Sequence, residues 1–165
     1  MALPLDPGEE PADLDEELGV LLSPPMPFYT VIIEGDAGRD PEVHFHAGGQ
    51  GFWIAWMMTR LEARATLCAP FGGEPGLVLR TLIASEGVTL KAVAAQGWNG
   101  SYVHDRRSGE RQPIVQVPSP ALTRHEVDDL YRAMMAAGLA AGVAVLSGPS
   151  RPGVLPRGRL PSSRP

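Results

Sequence analysis

The stretch Ala47–Gly76, AGGQGFWIAWMMTRLEARATLCAPFGGEPG, decides how this sequence is expected to fold. A glycine-rich turn at residues 47–51 precedes Phe52–Leu61, whose apolar residues recur at helical spacing, and then comes the apolar, strand-length run Ala65–Phe71. A second glycine-rich turn at residues 72–76 closes the stretch and leads into another helical pattern. This order is typical of a domain whose strands are parallel and are joined by helices.

The sequence on both sides of this stretch adds strands, helices and one hairpin. Thr123, followed by Glu126 three residues later, predicts a capping box at the start of a helix that ends at Gly138. Gly109 can take the positive φ that a hairpin turn needs. The predicted strands are Phe28–Glu34, Val43–His46, Ala65–Phe71, Val88–Ala94, Ser101–Asp105, Pro113–Val117 and Ala141–Leu146, and the predicted helices are Phe52–Leu61, Leu77–Ser85 and Thr123–Ala137. They predict an α/β domain with a mainly parallel sheet, flanking helices and a small hairpin projection.

Charge and proline content divide the 165 residues into three parts. Residues 1–25 hold seven acidic side chains, no basic ones and several prolines, so we expect a mostly disordered leader with one or two helical turns around Leu14–Leu22. Residues 151–165 hold four arginines, four prolines and no acid, and we expect a disordered tail. The folded domain is therefore expected to span residues 26–150.

Composition excludes several classes of protein and site. A single cysteine, Cys68, excludes an internal disulfide scaffold and a cysteine-cluster metal centre. The sequence contains no apolar run of the ~18 residues that a membrane span needs, and its acidic start is unlike a secretory signal, so a cytoplasmic location is expected. Four scattered arginines are too few to predict a nucleic-acid partner. His44 and His46 share one face of a strand, but no third ligand is evident, and no metal site is predicted.

The turn at residues 47–51 is the candidate binding element. It joins a strand to a helix, and such a turn presents backbone N–H groups at the positive end of the helix dipole, where an anion or a polar ligand binds. The turn has neither the Gly-Lys-Ser/Thr of a P-loop nor the G-x-G-x-x-G spacing of dinucleotide-binding proteins. From these residues alone, a tight turn without any ligand is an equally good interpretation.

Ala47–Gly76 resembles the first signature of the ribokinase/PfkB family of carbohydrate kinases, and most closely that of its 1-phosphofructokinase branch. Ser101–Val117 stands where that family has a lid hairpin, and Leu146–Val154 resembles its Leu-Ser-Gly-Ser…Pro-Pro-Gly-Val segment. The resemblance covers about residues 28–154 and implies an incomplete ribokinase-like parallel sheet with flanking helices and a small β-hairpin lid. The glycines that match the family in type and spacing are Gly48, Gly49, Gly51, Gly72, Gly73 and Gly76.

The resemblance implies ATP-dependent phosphoryl transfer to a hydroxyl of a sugar or sugar phosphate, with ATP and Mg²⁺ as cofactors. It also implies a lid hairpin that closes over the sugar and through which homodimers form. Gln50 replaces a lysine that users of sugar phosphates often carry, and Trp53 replaces a sugar-binding asparagine. Asp36 is the best candidate for the family's early sugar-binding aspartate. The substrate-binding residues so implied are Gly48, Gly49, Gln50, Trp53, Asp36 and Ser101.

The sequence departs from the family in lacking its Gly-Ala-Gly-Asp motif. In the family this motif carries the catalytic base and the anion hole beside ATP and Mg²⁺. No catalytic residue is therefore predicted, the ATP-binding half is expected to be absent, and the chain is expected to be an N-terminal, substrate-binding part that is inactive alone. Two alternatives stay open, a non-catalytic sugar-binding or interaction module and a truncated product without a function of its own.

Overall fold

The computed structural model describes residues 19–24, 26–35 and 40–147, which form two β-sheets and three helices. The strands are β1 (Gly19–Ser23), β2 (Phe28–Glu34), β3 (Glu42–Gly48), β4 (Arg64–Phe71), β5 (Thr89–Ala94), β6 (Ser101–Asp105), β7 (Gln112–Val117) and β8 (Val143–Leu146). The helices are α1 (Gln50–Arg60), α2 (Gly73–Ser85) and α3 (Arg124–Gly138). The core sheet has the strand order β5-β4-β1-β8, and the outer sheet has the order β3-β2-β6-β7.

The core sheet is wholly parallel and is covered by helices on both faces. Val20 and Leu22 of β1 pack in one cluster with residues of α1 and α2, such as Phe52. Leu21 of the same strand packs in a second cluster with Leu130 of α3. Because successive side chains of a strand point to opposite faces, these two clusters lie on the two sides of the sheet. The predicted α/β class with a parallel sheet is thereby confirmed.

The predicted disorder of residues 1–25 is wrong for Gly19–Ser23, which is an inner strand of the core sheet. Val20, Leu21 and Leu22 are almost fully buried there, and β1 pairs with both β4 and β8. Gly19–Ser23 is only five residues long and does not alternate, a pattern that does not distinguish a buried strand from a helical turn. Acidic residues before this run and prolines after it also favour the prediction of disorder. The rest of the predicted leader, residues 1–18, lies outside the described residues, as does residue 25.

The predicted hairpin projection is part of a larger sheet. β6 and β7 form the expected antiparallel hairpin, and Gly109 in its turn has φ 84. However, β2 pairs in parallel with β6 and antiparallel with β3, so Phe28–Glu34 belongs to the outer sheet and not to the parallel one. The residues of β2 predict a strand, but they do not contain the information on which sheet it joins.

Local signals place most of the helix ends. Thr123 Oγ1 accepts from the Glu126 backbone N–H at 3.3 Å, and a Glu126 carboxylate oxygen accepts from the Thr123 backbone N–H at 2.6 Å, which confirms the capping box. Gly87, with the positive φ of 78 that favours glycine after a helix, follows the end of α2. None of the described helices is long and apolar enough to cross a membrane. The predicted tail, residues 151–165, lies outside the described residues.

Candidate functional site

The first glycine-rich turn lies where the outer sheet passes into the helix layer of the core. β3 ends at Gly48, Gly49 is the N-cap of α1 with φ 113, and Gln50 is the first helical residue. No side chain among the described residues caps α1, and its first turn carries no acidic residue. The N–H groups of that first turn therefore have no side-chain partner among the described residues, and they lie at the positive end of the helix dipole.

Packing alone already requires glycine at this turn. A Cβ at Gly48 would lie 2.4 Å from the Phe28 ring, and one at Gly51 would lie 2.6 Å from both Pro24 Cβ and Ser147 Oγ. The turn consequently brings the ends of β1 and β8 against the start of α1. It joins the two sheets at the carboxyl ends of core strands, the edge at which open α/β sheets bind ligands.

The second glycine-rich turn is held by a buried asparagine, Asn99. Its Oδ1 accepts from the Gly72 N–H at 2.8 Å, and its Nδ2 donates to the carbonyls of Pro27 at 2.9 Å and Pro70 at 3.2 Å. Pro27 directly precedes β2, whereas Pro70 lies in β4. Asn99 therefore ties the outer sheet to the core sheet beside the second turn. A polar residue in a loop of the sequence carries no local signal for this role.

The substrate-binding residues predicted from the family resemblance are only partly grouped. Gly48, Gly49 and Gln50 form the turn itself. Ser101 and Ala47 both lie opposite Tyr29 in the outer sheet, so Ser101 is at the same end of the sheet as the turn, two strands and roughly 10 Å away. Those positions are compatible with one shared site.

The two other predicted substrate-binding residues, Trp53 and Asp36, are not grouped with the turn. Trp53 lies one turn into α1 with half of its surface exposed, and it lines a cavity beside that helix. Asp36 lies outside the described residues.

That cavity has a volume of about 190 Å³ and lies between β3, α1 and the end of α2. Its wall is mainly aromatic, and one corner is polar. Trp56 Nε1 donates to Glu86 Oε2 at 2.7 Å, and Arg60 Nη2 lies 3.3 Å from the same oxygen. The lining residues are Phe45, His46, Ala47, Phe52, Trp53, Trp56, Leu82, Ser85 and Glu86.

The polar side chains of the hairpin are engaged with one another. His104 is buried, and Arg111 donates to its Nε2 at 2.9 Å, so burial and the Arg111 charge lower the pKa of His104. Two charge-assisted contacts from Arg107, through the side chain and the backbone N–H, lower the pKa of the Asp105 carboxyl to about 2. Arg111 thus occupies the Nε2 lone pair of His104, and Arg107 occupies the Asp105 carboxylate.

The two histidines of β3 do not assemble a metal site with other described residues. Their rings stack with centroids 6.3 Å apart, and His44 Nε2 lies 3.4 Å from a Glu42 carboxylate oxygen. Over the described part of the chain, no group of three or more histidine, cysteine, aspartate or glutamate side chains is arranged to hold a metal ion.

Comparison with known proteins shows which sequences and structures this chain is similar to. No protein-family model matches the chain. The sequence is 34% identical over 112 residues to ATP-dependent 6-phosphofructokinase isozyme 2 of Escherichia coli, an alignment that covers 67% of this chain and 36% of that enzyme. The crystal structure of phosphofructokinase-2 from Escherichia coli in complex with fructose-6-phosphate matches with a TM-score of 0.67 and 25% identity, covering 84% of this chain and 48% of that one.

A more distant structure supports the fold alone. A possible 1-phosphofructokinase from Thermotoga maritima matches with a TM-score of 0.68 at 17% identity, covering 83% of this chain and 47% of that one. In each comparison the chain spans less than half of the relative's length. By sequence and by fold, this chain is therefore homologous to the carbohydrate kinases of the PfkB family, over a part that makes up less than half of such a kinase.

Proposed function

We propose that this chain is the substrate-binding part of a PfkB-family carbohydrate kinase of the cytoplasm and that it binds a sugar or sugar phosphate at the Gly48–Gly49 turn. The observation that carries the proposal is the uncapped start of α1, which directly follows this turn at the junction of the two sheets. The relative's name, a 6-phosphofructokinase, and the fructose-6-phosphate complex of the similar structure support a sugar phosphate as the ligand.

The turn offers a phosphorylated sugar two kinds of interaction. Backbone N–H groups in the first turn of α1 can donate to phosphate or hydroxyl oxygens, and the helix dipole favours the negative charge. The Gln50 side chain is exposed beside these groups and adds an uncharged donor. Because Gln50 brings no positive charge, affinity for the phosphate comes from directed hydrogen bonds more than from an ion pair.

Ser101, Trp53 and Asp36 complete the proposed set of contacts. Ser101 supplies a hydroxyl from the outer sheet at the same end as the turn. The Trp53 ring offers a flat apolar face on which a sugar can stack. Because this ring borders the cavity and not the N–H groups, the core of the proposal does not depend on it.

ATP and Mg²⁺ are the cofactors of the proposed parent reaction, in which they supply the phosphoryl group and its charge neutralisation. The described residues do not fit a site for them, because they contain neither the Gly-Ala-Gly-Asp motif nor a cluster of metal-binding side chains. We therefore derive no chemical step, and we expect this chain to bind sugar without turning over ATP. Sugar-dependent ATP hydrolysis by the purified chain would contradict this expectation.

A homodimer through the outer sheet is the second part of the proposal. Val43 of β3 and Val115 and Val117 of β7 are each about half exposed. Their spacing and the strand register put them on one face of the sheet. An open apolar face of this kind fits a second copy of the same sheet.

Calorimetric titration with fructose 6-phosphate and with fructose tests the sugar site. The Gln50→Glu variant brings a negative charge to the start of α1, which suits the helix dipole but repels a phosphate. We expect it to weaken fructose 6-phosphate binding at least fivefold and to leave fructose binding nearly unchanged. Gln112→Glu makes the same charge change at the far end of the outer sheet and should bind like the wild type. Equal loss in both variants, or no binding of either sugar by the wild type, would refute the proposed site.

A further inference from the structure

The aromatic cavity between β3, α1 and the end of α2 has no part in the sugar-binding proposal apart from Trp53. Its walls hold large apolar side chains at the surface, with Phe45 53% and Trp53 50% exposed. Trp53 and Trp56 meet edge to face with ring centroids 5.8 Å apart, so they form a rigid corner. Phe45, stacked against Tyr29, forms the opposite wall from β3. Aromatic grooves of this kind are typical receptors for extended, proline-rich segments.

The polar corner of the cavity already binds one guanidinium group. The Arg60 guanidinium lies 5.2 Å from the centre of the Trp56 ring, and it pairs with Glu86 Oε2. Trp56 Nε1 holds that same carboxylate oxygen in place. The other oxygen, Glu86 Oε1, has no hydrogen bond within the described part of the chain, and a carboxylate can accept from a second arginine there.

The segment that combines these two chemistries in this chain is Arg151–Pro165, RPGVLPRGRLPSSRP. Prolines spaced along it favour the extended polyproline conformation, in which proline rings pack against aromatic faces. Its four arginines are interleaved with the prolines, and no acidic side chain opposes their approach to Glu86.

The chain continues from a point close to this cavity. Ser147 is the last described residue. A Cβ built on Gly51 would lie 2.6 Å from Ser147 Oγ, so Ser147 lies beside the start of α1. Eighteen residues follow Ser147 in the sequence. An extended segment advances about 3.1 Å per residue, so five residues cover roughly 15 Å. That exceeds the rise along α1 from Gly51 to Trp53 and Trp56, which is about 3 and 8 Å.

We propose that residues 151–165 dock into the cavity of their own chain, with prolines against Trp53 and Phe45 and an arginine paired with Glu86. Docking covers aromatic surface that is otherwise open to water, and it gives the free carboxylate oxygen a partner. The cost is the conformational entropy of the segment, which its prolines have already reduced.

The indole N–H signals of the three tryptophans test this docking in the full-length chain. We expect Pro152→Ala, Pro156→Ala and Pro161→Ala, made together with Arg157→Gln and Arg159→Gln, to shift the signals of Trp53 and Trp56. The signal of Trp98, which is exposed and does not line the cavity, should stay in place. The matched control Pro4→Ala, Pro7→Ala and Pro11→Ala changes proline content at the other end and should shift none of the three. Unmoved Trp53 and Trp56 signals in the first variant would overturn the proposal.

A spin label on the tail provides a second, independent readout. Cys68 is fully buried, so a cysteine introduced by Ser162→Cys is the reactive thiol. A nitroxide there should remove most of the Trp53 and Trp56 indole intensity and spare that of Trp98. A loss of indole intensity that disappears on dilution would show that the tail comes from another copy of the chain. Equal loss of intensity at all three tryptophans would show that the tail has no preferred site. Either result overturns the proposal. The calorimetric titration measures sugar binding at the Gly48–Gly49 turn separately, and Trp53 is the one residue that the two proposals share.

Discussion

The core sheet and the outer sheet each have four strands, but they are buried to very different degrees. In the core sheet, β4 is buried along most of its length and β1 along nearly all of it, because helices cover both faces. In the outer sheet every residue of β7 is exposed, and β3 is buried only where it enters the glycine turn. The core sheet therefore holds most of the buried apolar surface that stabilises the domain, whereas the outer sheet leaves much of its surface open to solvent.

The largest effect expected from this contrast is that of truncating a central core side chain. Leu67 of β4 is fully buried among residues of both β1 and the helices. Leu67→Ala should lower the free energy of unfolding by about 4 kcal/mol, through lost burial and the cavity left behind. In the outer sheet, Val115→Ala should change it by no more than about 0.5 kcal/mol. Urea unfolding followed by circular dichroism measures both, and similar losses in the two variants would remove the distinction between the sheets.

The second effect concerns the connection between the sheets. Asn99→Ala leaves the Gly72 N–H and the carbonyls of Pro27 and Pro70 without their partner, at an expected cost of about 3 kcal/mol. Gln96→Ala is the matched control, because the Gln96 side chain is exposed and only its backbone N–H is engaged. It should cost about 0.5 kcal/mol or less. Thermal melts of the two variants decide the point, and an unchanged melting temperature for Asn99→Ala would mean that Asn99 does not tie the sheets together.

The smallest effect is the pH-dependent contribution of the cap on α3, which belongs to the core side. Hydrogen bonds from the backbone N–H of Gln96 and from Thr123 lower the pKa of Glu126. A lowered pKa in the folded state means that this stabilisation is present above the ordinary glutamate pKa and is lost as the pH falls through the folded value. Glu126→Gln should therefore cost about 1–2 kcal/mol at neutral pH and much less under acidic conditions.

The control for the cap is a carboxylate at a comparable position without its hydrogen bonds. Glu74 lies exposed in the first turn of α2, so Glu74→Gln should cost only about 0.3–1 kcal/mol from the helix dipole. Urea titrations at several pH values separate the two residues. A Glu126→Gln loss that persists unchanged at acidic pH would show that it does not arise from the ionised carboxylate.

The sequence predicts the strands of the outer sheet and α3 well, because these depend on local features. It predicts features that depend on long-range contacts far less well. The Thr123–Glu126 box and the positive φ of Gly109 depend on residues within one turn, and both are found where expected. The pairing of β2 with β6 and the burial of β1 depend on contacts between residues far apart in the chain. No local pattern encodes them, which is why the sequence does not indicate a strand at Gly19–Ser23.

The candidate site shows the same division. The glycine turn was predicted from its spacing, because glycine is required where φ is positive or the backbone packs closely. Asn99 has no such spacing, and its role appears only when Pro27, Pro70 and Gly72 are brought together by the fold. Similarly, the cavity beside Trp53 is formed by one strand and two helices, and the sequence of each element alone does not indicate a cavity.

The most direct test of sugar binding at the junction of the two sheets is a nitrogen–proton NMR titration of the full-length chain with fructose 6-phosphate. Glycine amides are well resolved, so Gly48, Gly49 and Gly51 can be followed individually, with Gly109 at the far end of the hairpin as the internal reference. We expect saturable shifts at the three turn glycines and none at Gly109. Unmoved turn glycines at saturating ligand, or shifts confined to other parts of the chain, would contradict the proposed site.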